Sequence, residues 1–361
     1  MKILILVNKS WNLINFRKDL IYFLKNKKID LTLVCEDKNE NLYEFKKNGC
    51  KVFYIGSNLI SNFIQVNKLF NSIRPNIVLN FTLKSIFIFT LTNIFFNFKN
   101  ISTFSGLGYL FIKKKYIYNL LIILIYLFSS TKYSTFLFHN NSDLKYFKKF
   151  NFIKKIKLIN IGGSGVNSDH FNSFEFPDKL KETNFLMVSR LIKEKGVMEF
   201  CYAAKEILKL KQNISFTLIG KTDVNNPGKI KSKDFKKYVI DAGIRYIEDS
   251  NDIKSFIDKS HCIVLPSYRE GLSKFLLEGM SMSRPIITTD VPGCRELVNN
   301  ENGFICRARD YEHLKKQIIK FNNLSKLEMK KMGQASRKII IKKYEMSIIN
   351  NKFFEIINSI K

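Results

Sequence analysis

The sequence predicts an α/β protein with two doubly wound, parallel-sheet domains in tandem. With 361 residues, the chain is too long for one ordinary hydrophobic core. Short apolar runs alternate with helical stretches along its length, a pattern typical of parallel sheets. This alternation pauses between residues 161 and 183, which are rich in Gly, Ser, Asn, Asp and Pro, and then restarts. We therefore expect one domain over residues 1–165 and a second over 166–361, whose last helix could cross back, with ligands binding at strand ends in an interdomain cleft.

The elements follow in order. In the first domain, apolar runs predict the strands Ile3–Val7, Leu31–Cys35, Val52–Ile55, Ile77–Asn80, Ile101–Phe104, Thr135–Phe138 and Lys157–Asn160. Helices between them include Phe16–Lys27, Phe63–Ile73 and Leu144–Phe150. In the second domain, the predicted strands are Phe185–Ser189, Ser215–Gly220, Ile244–Ile247, Ile263–Leu265 and Ile286–Thr289. Its predicted helices are Val197–Leu210, Asp252–Lys259, one with Ser273 as its N-cap that reaches about Ser283, and one with Asp310 as its N-cap that runs through Lys320. Asn302-Gly303 is predicted to be a turn.

The most informative stretch is the strand–loop–helix segment that ends at Ser283. Ser273 is a typical helix N-cap, and the amides of Gly271, Leu272 and the first helical turn are predicted to form an anion site. Glu270 and Glu278 bracket that site. Because a carboxylate is repelled by a bound diphosphate, the two glutamates indicate hydroxyl groups on both sides of it, as in a nucleotide sugar. The spacing is equally compatible with two glutamates that are favoured only by the helix dipole.

The stretch from Pro266 to Glu296, PSYREGLSKFLLEGMSMSRPIITTDVPGCRE, contains this helix and resembles the donor-binding signature of retaining glycosyltransferases of family 4. In particular it resembles the bacterial subgroup that extends lipid-linked glycans, which includes N-acetylgalactosaminyltransferases acting on undecaprenyl diphosphate-linked sugars. A second stretch, SRLIKEKGVMEF, is similar to the other donor motif of the family. The resemblance implies a GT-B fold, a nucleotide-sugar donor, retention of anomeric configuration, no cofactor and no required metal. The sequence contains no Asp-x-Asp triplet, in agreement with the last expectation.

The resemblance also implies roles for individual residues. Arg190 and Lys195 would stabilise the leaving diphosphate, and Glu278 would hold the ribose hydroxyls. Glu270 would position the sugar and stabilise charge that develops at the anomeric carbon. The loop with Gly293 and Glu296 would lie near the donor, although a plain turn between strand and helix explains it as well. No residue is identified as a nucleophile, which favours front-face attack over a covalent intermediate.

Candidates for an acceptor or cleft role lie after strands of the first domain. The loop from Asn8 to Arg17 resembles the subgroup's asparagine/aromatic version of a loop that is glycine-rich in many family members. Its Trp11 is a lid, an acceptor contact or a packing residue. Lys84 could meet a donor or acceptor phosphate, and His139 is either catalytic or a neutral histidine at a strand end. The full set of these candidates is Asn8, Trp11, Asn15, Arg17, Thr82, Lys84, Gly106, Gly108, His139, Gly163 and Gly165.

Composition adds expectations about partners. The net charge is +29, and residues 1–165 hold 25 basic against 7 acidic side chains. Coding bias towards lysine explains part of this excess, and the rest favours an anionic membrane surface, a diphosphate-bearing substrate or nucleic acid. The six cysteines show no metal-ligand spacing and indicate reduced thiols in a cytosolic protein. Tyr116–Phe128 is about 13 residues long, too short to span a bilayer, and is either a core helix or an interfacial one.

These observations favour a retaining transferase that moves a hexose or N-acetylhexosamine from a nucleotide sugar, most simply UDP-linked, to a lipid-linked saccharide. We expect it at the cytoplasmic face of the membrane as a peripheral protein. A nucleotide-sugar epimerase of the same fold is the alternative, and it would need no acceptor. A nucleic-acid-binding protein is disfavoured because the aromatic residues fall within apolar runs instead of alternating with basic ones.

Overall fold

The computed structural model describes residues 1–56, 58–130, 132–173, 175–178, 182–210, 213–223, 226–240 and 242–360. Part of the predicted linker, at 174 and 179–181, therefore lies outside the described residues. The chain divides into two compact units. Unit 1 comprises residues 1–164 together with 346–361, and unit 2 comprises residues 165–345. Each unit contains one parallel sheet, which confirms the predicted pair of doubly wound α/β folds.

The sheet of unit 1 has seven parallel strands in the order β3-β2-β1-β4-β5-β6-β7. These strands are β1 Lys2–Leu6, β2 Asp30–Cys35, β3 Lys51–Tyr54, β4 Ile77–Asn80, β5 Lys99–Phe104, β6 Ser134–Phe138 and β7 Lys157–Asn160. The strand order reverses between β1 and β4, whose register pairs Leu6 with Asn80. In open α/β sheets, ligands bind beyond the carboxyl ends of strands at such a switch point.

Helices cover both faces of this sheet. They are α1 Ser10–Asn12, α2 Lys18–Asn26, α3 Tyr43–Lys47, α4 Leu59–Ile73, α5 Leu83–Asn93, α6 Gly108–Lys113, α7 Lys115–Phe128, α8 Asn141–Lys148 and, from the end of the chain, α15 Met346–Ser359. A π-helical turn, Leu13–Arg17, joins α1 to α2. Helix α15 packs on α2 and contributes Phe353, whose ring lies 6.0 Å from that of Phe81. The last helix is thus part of the core of unit 1.

The helix α7 has two different faces. Tyr118, Ile122 and Ile125 are buried, whereas Tyr116 is 91% exposed and Leu120 is 56% exposed. The core and interfacial alternatives therefore describe opposite sides of one helix. Among the described residues, no helix is long and apolar enough to cross a bilayer.

Unit 2 has a six-stranded parallel sheet in the order β10-β9-β8-β11-β12-β13. Its strands are β8 Thr183–Val188, β9 Ile214–Ile219, β10 Arg245–Ile247, β11 Cys262–Leu265, β12 Ile286–Thr289 and β13 Gly303–Cys306. Its helices are α9 Val197–Lys209, α10 Ser232–Phe235, α11 Ile253–Asp258, α12 Lys274–Ser281, α13 Tyr311–Asn322 and α14 Lys326–Ile339. The strand order reverses between β8 and β11, so the switch point of unit 2 lies where the two donor-like motifs begin.

One further finding adjusts a sequence prediction, and another agrees with one. The predicted turn at Asn302-Gly303 ends one residue earlier, because Gly303 is already the first residue of β13. A Cβ there would lie 2.1 Å from the carbonyl oxygen of Ile286, so the neighbouring strand approaches closely enough to require glycine. All six cysteines are free and buried, as predicted for structural thiols.

Candidate functional site

The switch point of unit 2 brings together the two motifs singled out from the sequence. Arg190 and Lys195 follow β8, and Glu270 follows β11, the neighbouring strand. Lys195 Nζ lies 2.6 Å from Glu270 Oε1, with the lysine side chain 24% and the glutamate 11% exposed. A shielded pair at this distance has a stronger Coulomb attraction than one in open water, and it fixes both side chains.

Gly196 explains how the two loops come so close. Its φ is +72°, and a Cβ at this position would lie 2.0 Å from the carbonyl oxygen of Pro266. The backbone after Lys195 therefore passes directly over the end of β11, which any larger residue would prevent. This contact holds Lys195 within reach of Glu270.

The loop with Glu270 is seated on the turn that follows β12. Glu270 N donates to the carbonyl oxygen of Pro292 at 3.0 Å. Gly293 has φ +80°, and a Cβ there would lie only 2.4 Å from the carbonyl oxygen of Glu270. Glu296 Oε2 in turn accepts a hydrogen bond from Gly293 N at 2.8 Å. Glu296, predicted to lie near the donor, thus holds the turn on which the Glu270 loop rests.

Helix α12 begins as the sequence predicts, with Ser273 as its N-cap. The hydroxyl of Ser273 accepts from Leu276 N at 3.3 Å, so one amide of the expected anion site is already satisfied by the cap. Glu278 is half-buried, with its side chain 12% exposed, and lies 3.5 Å from Lys274 Nζ. Burial raises the pKa of Glu278 and outweighs the opposing effect of Lys274. Gly271 and Leu272 lie in the half-buried loop that precedes the cap.

Arg190 lies beside this group but has a different partner. Its Nη1 donates to Asp223 Oδ2 at 2.8 Å, and the arginine side chain is 58% exposed. The structure thus brings Lys195 and Glu270 together, whereas Arg190 is held by an acid from the loop after β9. In each of these pairs, a bound diphosphate could replace the carboxylate as the partner of the cation.

Sequence reasoning missed three residues that support this site. Asp223 is the partner of Arg190, and only its three-dimensional position reveals it. Tyr268, in the loop before Glu270, donates from its hydroxyl to Glu199 at 2.6 Å. The guanidinium of Arg309 lies 4.8 Å from the centre of the Tyr268 ring. The tyrosine and arginine together stiffen the loop after β11.

In unit 1, the loop after β1 carries the predicted asparagine/aromatic group. Asn8 accepts a hydrogen bond from Glu36 N through its backbone carbonyl at 2.9 Å. Asn15 donates to the carbonyl oxygen of Trp11 at 3.1 Å, and Trp11 itself is 57% exposed. The Trp11 ring packs edge-on against Phe16, 5.1 Å away. This loop is therefore ordered by local bonds while its tryptophan faces solvent.

The loop after β4 carries the predicted residues Thr82 and Lys84, both of which have partners within unit 1. Thr82 is the N-cap of α5 and forms a capping box with Ser85. Lys84 forms an ion pair with Glu36, whose side chain is 5% exposed and also accepts from Asn62. The glycines are in the conformations that favour glycine: φ is +130° at Gly106, +67° at Gly108, +87° at Gly163 and +76° at Gly165.

Arg17 and His139 are buried together in unit 1. Arg17 is 2% exposed, and its guanidinium carbon lies 3.9 Å from the centre of the Phe81 ring. Burial lowers the pKa of Arg17 to about 9. Burial, helped by the nearby Arg17, lowers the pKa of His139 to about 3, so the imidazole is neutral at pH 7. The structure places His139 directly after β6 and buried beside Arg17, and its role stays a prediction.

Two family matches cover most of the chain. Residues 169–339 match the family described as "Glycosyl transferases group 1", and residues 2–140 match "Glycosyl transferase 4-like".

Within the described residues, no group of three His, Cys, Asp or Glu side chains could hold a metal ion.

Similar individual proteins agree with the families. The chain is 23% identical, over 99% of its length and 98% of the relative, to N,N'-diacetylbacillosaminyl-diphospho-undecaprenol alpha-1,3-N-acetylgalactosaminyltransferase of Campylobacter jejuni. It is 28% identical to the capsular polysaccharide biosynthesis glycosyltransferase CapM of Staphylococcus aureus, over 55% of this chain and 54% of CapM. The solved structure of Anabaena HepE in complex with UDP-glucose covers 99% of this chain and 100% of HepE, at 13% identity and a TM-score of 0.82. This likeness shows the GT-B fold.

Proposed function

Because the chain belongs to the retaining glycosyltransferases of family 4, we propose that it transfers a hexose or N-acetylhexosamine from a UDP-linked donor to a lipid-linked saccharide. The observation that most directly supports binding of the nucleotide-sugar donor is the Lys195–Glu270 pair at the switch point of unit 2. Both relevant families are glycosyltransferases, which favours transfer to an acceptor over epimerisation.

Donor binding would replace the partners of the two cations, which are paired with Glu270 and Asp223 in the structure. Its diphosphate would take Lys195 from Glu270 and Arg190 from Asp223, and the two cations would stabilise the leaving group. Glu270, freed from the lysine, would accept hydrogen bonds from the sugar. Glu278 would accept from the ribose hydroxyls. The donor would thereby complete the site in which it reacts.

The relatives support the choice of donor and acceptor. The full-length relative from Campylobacter jejuni is named for a diphospho-undecaprenol saccharide acceptor and an N-acetylgalactosaminyl group. HepE, which has the same fold, was solved with UDP-glucose. A UDP donor and a lipid-linked acceptor are therefore the simplest proposal for this chain.

A lipid-linked acceptor requires access to a membrane, and unit 1 has a surface suited to one. Helix α5 packs against both α4 and α7. Exposed apolar side chains on or next to these helices are Leu59, Ile60, Ile64, Ile94, Phe95, Tyr116, Ile117, Leu120, Leu127 and Phe128. Between Glu44 and Asp143 the sequence contains 11 basic residues and no acidic one. Lys84 and Lys51 pair with Glu36 and Asp30, but the stretch still has a strong excess of positive charge. Apolar side chains combined with this excess favour the anionic, cytoplasmic leaflet, where the protein would bind peripherally.

Donor binding is tested by the heat stabilisation that each of a panel of UDP- and GDP-sugars gives, followed by mass spectrometry of the transfer product. We expect Lys195→Ala to lose both stabilisation and transfer. Lys193→Ala is the matched control, because Lys193 lies in the same short turn but is exposed. Equal transfer by the two variants would refute the donor assignment, and product release without an acceptor would indicate an epimerase.

Membrane binding is tested by sedimentation with vesicles that contain either anionic or only zwitterionic lipids. We expect binding to the anionic vesicles and a clear loss of it in Leu120→Glu. Leu327→Glu is the control, since Leu327 is 62% exposed on α14 of unit 2. Binding that Leu120→Glu leaves unchanged would rule out this surface.

A further inference from the structure

Within the part of the chain that the structure describes, the buried Arg17 has no acidic partner. No ion pair or hydrogen bond of its side chain occurs among these residues, and its Nε is buried without an acceptor. Its guanidinium carbon lies over the ring of Phe81. A cation–π contact offsets only a small part of the cost of removing a guanidinium from water. A buried charge of this kind ordinarily has a hydrogen-bonded partner, which makes Arg17 unusual in this fold.

Other polar atoms without partners lie nearby. Burial leaves His139 Nε2 and Thr103 Oγ1 without hydrogen bonds among the described residues. His139 is close enough to Arg17 for the two to interact electrostatically. Thr103 follows Ile101 on the same face of β5, and Phe81 and Ile101 belong to the same apolar cluster. One face of the sheet therefore carries a cation and two neutral groups able to donate hydrogen bonds, all at its carboxyl edge.

The position agrees with ligand binding. Arg17 follows β1 and Phe81 follows β4, so their contact bridges the switch point of unit 1. Arg17 ends a π-helical turn, a feature that is rare and frequently found at functional sites. A guanidinium whose side-chain nitrogens make no hydrogen bond to the described residues presents the fork that fits phosphate oxygens.

We propose that Arg17, His139 and Thr103 form a binding site for a phosphate group at the switch point of unit 1. The site is separate from Arg190 and Lys195, which belong to unit 2. That the phosphate is the one nearest the saccharide in a lipid-linked acceptor rests on the proposed function. The phosphate site itself does not depend on it.

The only tryptophan of the chain provides a local probe. Trp11 is half-exposed in the same loop as Arg17, so its fluorescence reports on this loop alone. The full-length protein is titrated at constant ionic strength with inorganic phosphate, with pyrophosphate and with farnesyl diphosphate, and chloride serves as the blank. We expect a saturable change with the phosphate compounds and none with chloride.

Variants separate this site from the donor site. In Arg17→Met the half-saturating concentration should rise about tenfold or more, because the charged hydrogen bonds are lost. The half-saturating concentration of Arg17→Lys should lie between those of the wild type and Arg17→Met, because lysine keeps the charge but lacks the planar fork of the guanidinium. Arg190→Met should leave the Trp11 response unchanged. A wild-type protein without a saturable response, or an Arg17→Met response equal to the wild type, would overturn the phosphate site.

Stability gives a second readout that a purely structural arginine would not reproduce. Without phosphate, Arg17→Met should melt at the same temperature as the wild type or higher, because an unpaired buried charge has been removed. Phosphate should then stabilise only the wild type. A lower melting temperature that phosphate does not affect would show that Arg17 only packs against Phe81.

The source of the phosphate is decided by comparing probes. Tighter binding of farnesyl diphosphate than of inorganic phosphate supports the lipid-linked acceptor, whereas equal binding assigns the site to a free phosphate compound. UDP-dependent heat stabilisation should persist in Arg17→Met. If UDP-dependent heat stabilisation is lost in Arg190→Met and kept in Arg17→Met, the donor site and the phosphate site are independent. A failure of the donor proposal can then be told apart from a failure of the phosphate proposal.

Discussion

The turn at Gly293 allows a sharp test of how the donor loop is positioned. In Gly293→Ala the new Cβ would lie 2.4 Å from the carbonyl oxygen of Glu270 and 2.7 Å from that of Gly271. The Glu270 loop must then retreat by roughly 1 Å to restore ordinary contacts. Because φ is +80°, the alanine also adopts a left-handed conformation that costs ~1–2 kcal/mol.

Gly243→Ala is the matched control. Its φ is +77°, nearly the same, but the nearest atom to its Cβ is a Leu208 methyl carbon at 3.7 Å, an ordinary contact. Both variants therefore share the backbone strain, and only Gly293→Ala adds the collision. We expect a further ~1–3 kcal/mol of destabilisation for the collision. For a unit of this size, each kcal/mol corresponds to about 2–4 °C in Tm.

The activity of the two variants should differ more than their stability. A displacement of about 1 Å in a positioning group can reduce turnover by about 10²-fold. We expect kcat/KM to fall between about tenfold and a hundredfold in Gly293→Ala and by less than about twofold in Gly243→Ala. Thermal melts and initial rates with the best UDP-sugar measure both effects. Equal rates in the two variants would refute the reasoning that the turn positions Glu270.

Three further predictions concern buried charged or titratable groups. Burial depresses the pKa of His139 to about 3, so the wild type should lose about 1.4 kcal/mol of stability per pH unit as the pH falls below ~6.5. His139→Gln should lose less, and parallel profiles of unfolding free energy against pH for the two proteins would contradict this. Burial raises the pKa of Glu278, so Glu278→Gln should be more stable than the wild type at pH 7. The gain should disappear below about pH 4, where both side chains are neutral, and urea unfolding at pH 7 and pH 4 measures the difference in unfolding free energy. Arg284 is fully buried and donates to the carbonyl oxygens of Ile257, Met282 and Asp258. Arg284→Met leaves these acceptors without a donor and should lower the free energy of unfolding by ~3–5 kcal/mol. A loss below about 1 kcal/mol would show that water replaces the arginine.

Elements with local signals were predicted well from the sequence. Ser273 and Asp310 were predicted as N-caps because their side chains bond amides only three residues away, and both do so. Short apolar runs gave the strands to within one or two residues at most ends. Helix α5 lacked such a signal: its residues are apolar on nearly all sides, so they show no amphipathic period.

The side chains that complete the sites could not be predicted in this way. Arg17 was singled out by its loop motif, but its burial was not predicted. Arg284 looks like an ordinary surface charge in a chain with 60 basic residues, and only tertiary packing shows that both arginines are buried. The pairing of Arg190 with Asp223 joins residues 33 positions apart on different strand ends. Burial and long-range pairing depend on how the sheet is assembled, which residue type and spacing do not encode.

The discontinuous composition of unit 1 has a consequence for synthesis on the ribosome. Residues 165–345 form a contiguous unit and can fold as soon as they have emerged. Unit 1 has to wait for Met346–Ser359, because Phe353 covers Phe81 in its core. Until that segment is available, the part of the core that Phe353 covers stays exposed. A nascent chain that lacks residues 346–359 would therefore combine a complete unit 2 with an incomplete unit 1, and its uncovered apolar residues would favour aggregation.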